Sequence, residues 1–172
     1  MYQVLALDPS FSATGWAVVD KDEHKILKSG VFKIEQIPFK PRHLTTMKIY
    51  QQNFYFSELE NLFNANPYIK EVYCEYPHGG QNHRAAHSFA VVTSIIIALC
   101  RSRDIKLEFC LESQAKVCLL GKAKGVTKDE TRAAILAIYA KNGYIEDKAK
   151  FRAEAIADAM SVYTYFKQNK GL

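Results

Sequence analysis

The four residues Val4, Leu5, Ala6 and Leu7 form an unbroken apolar run that stops at Asp8-Pro9. Apolar residues without polar alternation fit a strand covered on both faces, which commits the chain to a sheet with layers on either side. Aspartate is among the residues least often fully buried unless it is paired, hydrogen-bonded or bound to a metal. Asp8 at the mouth of such a strand therefore needs a partner. The pattern recurs at Ile69 to Glu75, a second short apolar strand ending in a carboxylate.

The rest of the chain supplies the layers. Residues 2–8, Thr14 to Val19, and Lys25 to Ile34 read as three strands of an antiparallel meander. From Arg42 to Ala65, Leu44, Met47, Phe54, Tyr55, Leu59, Leu62 and Phe63 recur at helical spacing until Asn66-Pro67 stops the run. Pro77-His78-Gly79-Gly80 is a break, and Arg84 to Arg101 is a helix apolar nearly all round, to be buried inside the domain or against a second subunit. Ile105 to Cys110 is a fifth strand and Ser113 to Leu120 a short helix. Gly121 to Val126 is a basic loop; Thr127 with Glu130 forms a capping box for a helix ended by Asn142-Gly143. A final helix spans Phe151 to Lys167. The order βββαβαβααα predicts an α/β fold, a mixed five-stranded sheet with helices on both faces.

Length and composition fit one domain over residues 1–172, since 172 residues at 48% hydrophobic content bury a proper core. No apolar run approaches the roughly eighteen residues of a membrane helix, and no leader with a basic head is visible. A cytoplasmic protein that does not touch membrane is expected. Cys74, Cys100, Cys110 and Cys118 lie among apolar neighbours without CxxC spacing, which predicts buried free thiols. The net charge of +5 leans toward a polyanionic partner. If four of the 18 carboxylates are held by metal, the remaining surface is more basic still.

Those four are Asp8, Glu75, Glu154 and Asp158. The first two end apolar strands that can be neighbours in a mixed sheet; the last two, at i and i+4, project from one side of the final helix. Converging without a cation, they would repel; two Mg²⁺ ions balance them, and hard oxygen ligands suit that ion. Two such ions about 4 Å apart serve phosphodiester hydrolysis, one activating a water and the other steadying the leaving oxygen. Two blander readings stand beside this one. Asp8-Pro9-Ser10 can open a turn with its carboxylate on local N–H groups. The final helix has an apolar stripe of Phe151, Ala155, Ala159, Tyr163 and Phe166, so periodicity alone gives Glu154 and Asp158 a solvated acidic face. Ala153 and Ala157 on its flank would let that face approach another element.

The stretch LALDPSFSATGWAVV resembles the opening strand motif of RuvC-type Holliday-junction resolvases: an apolar strand, Asp-Pro, a small residue, then Thr-Gly and an apolar strand. EVYCEYP, AKVCLLGKAKGVTKDET and AEAIADAMSVYTY are similar to the family's second-carboxylate strand, lysine-bearing segment and closing acidic helix, in the family's order. The resemblance implies an RNase H-like fold, a homodimer, and Mg²⁺-dependent symmetric nicking of four-way and other branched DNA, with Mn²⁺ as a substitute ion. It implies Asp8, Glu75 and Asp158 as metal ligands, with Glu154 as a fourth. The family's last two carboxylates are usually three apart; here they are four apart, with Ala155 at the three-back position. AHSFAVVTS replaces a small, Gly-rich helix start, and His78 stands where an aromatic wedge is expected. Divergence of this kind looks like a phage or viral branch, which would place the protein in a host's cytoplasm.

Lys116 and Lys128 stand where the resemblance places DNA-contacting lysines. Lys122, Lys124 and Arg84 join them from their positions on loops or helix starts near the acidic edge, and the loop from Gly121 to Lys128 reads as a phosphate cradle at a helix N-terminus. His83 and His87, four apart with His78 upstream, lack the glutamate of the zinc protease pattern and read as DNA or surface contacts. Sugar kinases and heat-shock-type ATPases open with a similar hairpin, but need a second phosphate-binding hairpin and a longer chain. A YqgF-like ribonuclease and a catalytically idle branched-DNA-binding protein remain as alternatives.

Overall fold

In a computed structural model of the chain, residues 2–10, 13–33, 44–76 and 83–171 are described, the side chains of 44–47 and 83–85 excepted. Three strands come first: β1 (Gln3–Asp8), β2 (Ala13–Asp20) and β3 (Ile26–Lys33). Then α1 (Leu44–Ala65), β4 (Ile69–Glu75), α2 (His83–Ser102) and β5 (Lys106–Cys110) alternate. The chain closes with α3 (Glu112–Leu120), α4 (Lys128–Tyr139), a 3₁₀ turn at Ala140–Asn142, and α5 (Lys150–Lys170). The strands form one sheet in the order β3-β2-β1-β4-β5. The expected meander is there, with β1–β2 and β2–β3 antiparallel, and β4 and β5 add in parallel on the other side of β1.

Alternation along the strands divides the core in two. On one face Leu5, Leu7, Val18, Val72 and Cys74 meet Tyr55, Leu59 and Phe63 of α1 and Val92, Ile96 and Leu99 of α2. On the other, Val4, Ala6, Ala17 and Tyr73 meet Ile135 and Tyr139 of α4 and Ile156, Met160 and Tyr163 of α5. The four apolar residues at 4–7 are thus needed because two go to each layer. Most of the apolar surface of α2 that the sequence assigned to a domain interior or a second subunit goes into this chain's own core.

α5 is the element that positions the site, and both its ends are fixed. Near its start the backbone of Ala155 lies on Gly15 so closely that a Cβ at Gly15 would stand 1.9 Å from the Ala155 carbonyl oxygen. At its end Lys170 bonds Glu108, lies 3.4 Å from Glu71 and donates to the Tyr73 hydroxyl at 3.2 Å. Glu71, only 4% exposed, also accepts from Lys21 at 2.6 Å and Tyr2 at 2.7 Å. Burial pushes this carboxyl up, but bonds from Lys21, Tyr73 and Tyr2 outweigh it and hold it at about 2. Its contribution to stability is present above the ordinary carboxylate range and is lost only as pH falls toward that low value. Phe151, assigned to the apolar stripe of this helix, instead lies 42% exposed with the Lys33 ammonium 4.8 Å from its ring centre. It falls in the helix's first turn, beside the last residue of β3.

The Thr127 capping box forms as expected: its hydroxyl accepts from the Glu130 N–H at 3.2 Å, and Glu130 accepts from the Thr127 N–H at 2.7 Å. Asn142-Gly143 ends the next segment with Gly143 at φ 88, where its missing Cβ also leaves room for the Ile26 carbonyl. Cys74, Cys100 and Cys110 are buried free thiols and Cys118 is half-buried and free. Among the described residues no helix is long and apolar enough to cross a membrane.

Candidate active site

Parallel pairing sets Leu7 beside Cys74, so Asp8 and Glu75 leave the sheet side by side at one edge. Leu7 and Cys74 face α1 and α2; one residue on, alternation turns Asp8 and Glu75 to the face covered by α5. There Asp158, 8% exposed, completes a group of three. Its burial overturns the solvated-face reading. Periodicity assigned the apolar stripe to one side of α5, but the small residues Ala153 and Ala157, both fully buried, bring the flank with Asp158 down onto the strand ends as well.

The electrostatics follow from that convergence. Burial, then the nearby Asp158, pushes the Asp8 carboxyl above its ordinary value, with Lys128 opposing. Burial, then Asp8, Glu112 and Asp158, does the same to Glu75. Asp158 is raised by burial against the pull of Lys128, whose ammonium donates to Asp158 Oδ2. Burial works to lower Lys128, but Asp158, Asp8 and Glu112 outweigh it and hold the ammonium above its usual value. These are carboxylates crowded together with too little positive charge. The turn reading of Asp8 loses its main donor, because the Ser10 N–H goes to the Thr14 hydroxyl at 3.0 Å.

Glu154 is not drawn into this group. Among the described residues it lies 3.9 Å from Lys150 and exerts its field on Arg132. Glu112, in the first turn of α3, acts instead on Asp8, Glu75 and Asp158. Nothing in the local sequence pattern singles it out, because a glutamate opening a helix is satisfied by the helix dipole alone. Only the pairing of Glu75 with Cys110, two residues earlier, points it to this edge.

Of the basic residues, Lys116 pairs with Glu112 and Lys128 with Asp158, both beside the carboxylates. Lys122 is held by Glu130 at 3.0 Å, and the capping box occupies the N-terminus of α4. The phosphate cradle expected there is therefore largely closed by the protein's own groups. Lys124 is exposed, and among the described residues no ion pair is recorded for it. The side chains of Arg84 and His83 and the whole of His78 lie outside the described residues; His87 is exposed.

As they are placed, no three acidic, histidine or cysteine groups among the described residues form a chelating set. In this arrangement Asp158 and Glu112 are each bonded to a lysine. In charge and donor type the group nonetheless fits hard divalent cations: oxygen-only, anionic, and short of counter-charge.

A five-stranded mixed sheet with this strand order, and acidic groups at the ends of its first and fourth strands, defines an RNase H-like fold of the kind found in Holliday-junction resolvases. The structure of Thermus thermophilus RuvC in complex with a Holliday junction substrate is similar over nearly its full length: TM-score 0.72 at 13% identity, covering 99% of this chain and 97% of that one. A second structure of Thermus thermophilus RuvC gives 0.68 at 15% identity, covering 98% and 96%. The yeast mitochondrial Holliday junction resolvase Ydc2 gives 0.66 at 12% identity, covering 99% of this chain and 79% of that one. No protein-family model matches the sequence, nor does any curated protein.

Proposed function

We propose that the protein is a metal-dependent, structure-selective endodeoxyribonuclease that resolves four-way DNA junctions by paired symmetric nicks. The observation that carries this is the convergence of Asp8, Glu75 and Asp158 at one sheet edge, beside Lys116 and Lys128, in a resolvase-like fold. Residues 1–172 act as one nuclease domain. Asp8, Glu75 and Asp158 would hold two Mg²⁺ ions, or Mn²⁺ in their place, which supply an activated water and neutralise the leaving oxygen when bound. The chain's own part is to fix the carboxylates on rigid strand ends and on a helix clamped at both ends. Lys128 and Lys116, as counter-ions of Asp158 and Glu112, stand ready to exchange those partners for DNA phosphates.

A panel of labelled four-way, forked, flapped and linear DNAs beside RNA, with Mg²⁺, tests the reading. Symmetric cleavage of the four-way junction is expected; cleavage of RNA alone would favour a YqgF-like ribonuclease, and binding without cleavage an idle junction binder. In the same assay Lys116→Ala and Lys128→Ala should each weaken junction binding and lower the salt slope by about one unit, as for one lost phosphate contact. Unchanged slopes in both would move the DNA surface elsewhere. Lys124→Ala is the further arm, resting on exposure alone.

Two symmetric nicks require two sites, hence a homodimer. With the core face of α2 already used, the available surface is its outer side, where Ala90, Ser94 and Ala98 line a groove with Phe56 and Gln52 of α1. Ile49 and Phe56 of α1 are 52% and 39% exposed. Sedimentation at micromolar concentration should show a dimer without DNA, and Phe56→Glu should shift it toward monomer. A wild-type monomer would remove this surface from the account.

A further inference from the structure

Resting on the metal-dependent reading above, we infer that Glu112, not Glu154, supplies the fourth acidic group of the metal site. Three strand ends meet at this edge. Asp8 closes β1, Glu75 closes β4, and Cys110, the register partner of Glu75, closes β5. The chain then turns through Leu111, and Glu112 opens α3 with its helix start fixed by Gln114, whose side chain accepts from the Leu111 N–H at 2.8 Å. Glu112 therefore stands at the end of the third adjacent strand, as Asp8 and Glu75 stand at the ends of the first two.

Its neighbours agree with that placement. The Glu112 carboxylate bears on Asp8, Glu75, Asp158 and Lys128 alike, so it shares one field with all of them. It is bonded to Lys116, one turn along α3, just as Asp158 is bonded to Lys128. Each of these two acids carries a lysine counter-ion that a cation would replace. Glu154, by contrast, answers to Lys150 and Arg132, and position 155, three before Asp158, is an alanine whose backbone lies against Gly15. The final helix thus brings one carboxylate to the site, and α3 brings the other. With three carboxylates the charge of two divalent cations is left unbalanced by one; Glu112 closes that gap.

The test is Mn²⁺ binding to the full-length protein by calorimetry, without DNA, for wild type, Glu112→Gln, Glu154→Gln and Asp8→Asn. Glu112→Gln should weaken Mn²⁺ binding by about tenfold or more, since the loss of even an outer-shell partner of a metal costs about ten- to hundredfold, and Glu154→Gln should leave it within about twofold. Melting in EDTA checks the fold: the Glu112 side chain is 44% exposed, so the substitution should leave the melting temperature nearly unmoved. Glu112→Ala is the second variant and should bind as Glu112→Gln does. If Asp8→Asn weakens binding while both Glu112 variants bind like wild type, or if Glu154→Gln shows the loss, this inference is overturned and the metal site stands. If Asp8→Asn binds Mn²⁺ like wild type, the metal-dependent reading itself fails and takes the inference with it.

Discussion

Asp8→Asn should lower nicking of a four-way junction by several orders of magnitude while junction binding stays level or tightens. Asparagine keeps the shape and one acceptor oxygen but lacks the charge that a hard cation needs. Binding tightens because Asp8 crowds against Asp158 and Glu75, and any phosphate approaching the edge feels that excess negative charge. The same crowding gives a stability readout that needs no substrate. Burial, then Asp158, raises the Asp8 carboxyl in the folded chain, so between the ordinary value of about 4 and the raised one the folded state holds a proton that the unfolded state has released. Stability conferred by that proton is complete below this window and is lost as pH climbs through it. In EDTA, Asp8→Asn should therefore melt above wild type at pH 8.5, with the gap closing toward pH 4. Mg²⁺ should raise the wild-type melting temperature and leave the variant's unmoved. Were Asp8 a turn former, asparagine would serve equally well; normal nicking together with coincident melting curves would establish that role instead.

What the sequence discloses of this site follows from strands more than from helices. A strand's side chains alternate with a period of two, so Val4 to Leu7 announce burial on both faces and fix Asp8 as the anomaly; Ile69 to Glu75 does so again. Helical periodicity is less decisive when a helix is nearly engulfed. α5 packs on the sheet, α3 and α4 at once, burying twelve residues from Ala153 to Phe166, so the contrast between an apolar and an acidic face that periodicity relies on is absent, and Asp158 and Glu154 part company unseen. Glu112 was illegible for another reason. Its role depends on β5 lying parallel to β4, a pairing between residues 71 and 106 onward that no local pattern encodes. The apolar α2 was legible in composition but not in partner: of the two burials its sequence allows, inside the domain or against a second subunit, the core with Leu5, Val72 and α1 takes the first.

Gly15→Ala should do more damage to the fold than any other single-methyl addition along β2. Gly15 is the register partner of Asp8, and its added Cβ would lie 1.9 Å from the carbonyl oxygen and 2.4 Å from the carbonyl carbon of Ala155. Both are backbone atoms of α5, so no rotamer change relieves the clash. The helix must lift from the sheet, yet its far end is tied to Glu71 and Glu108 through Lys170. Overpacking typically costs about 1–3 kcal/mol, and a clash between backbone atoms that no rotamer relieves belongs at the upper end, about 3 kcal/mol, which for a chain of this size lowers the melting temperature by roughly 6–12 °C. Lifting α5 also carries Asp158 away from Asp8 and Glu75, so Mn²⁺ binding should fall in any Gly15→Ala protein that remains folded. Gly30→Ala is the control. Its Cβ would meet the Trp16 ring at 2.6 Å, but Trp16 is a half-buried side chain that can swing aside, so a smaller loss and unaltered metal binding are expected. If Gly15→Ala melts no lower than Gly30→Ala, α5 does not rest on β2 at this point, and the convergence of Asp158 with the two strand-end carboxylates loses its structural cause.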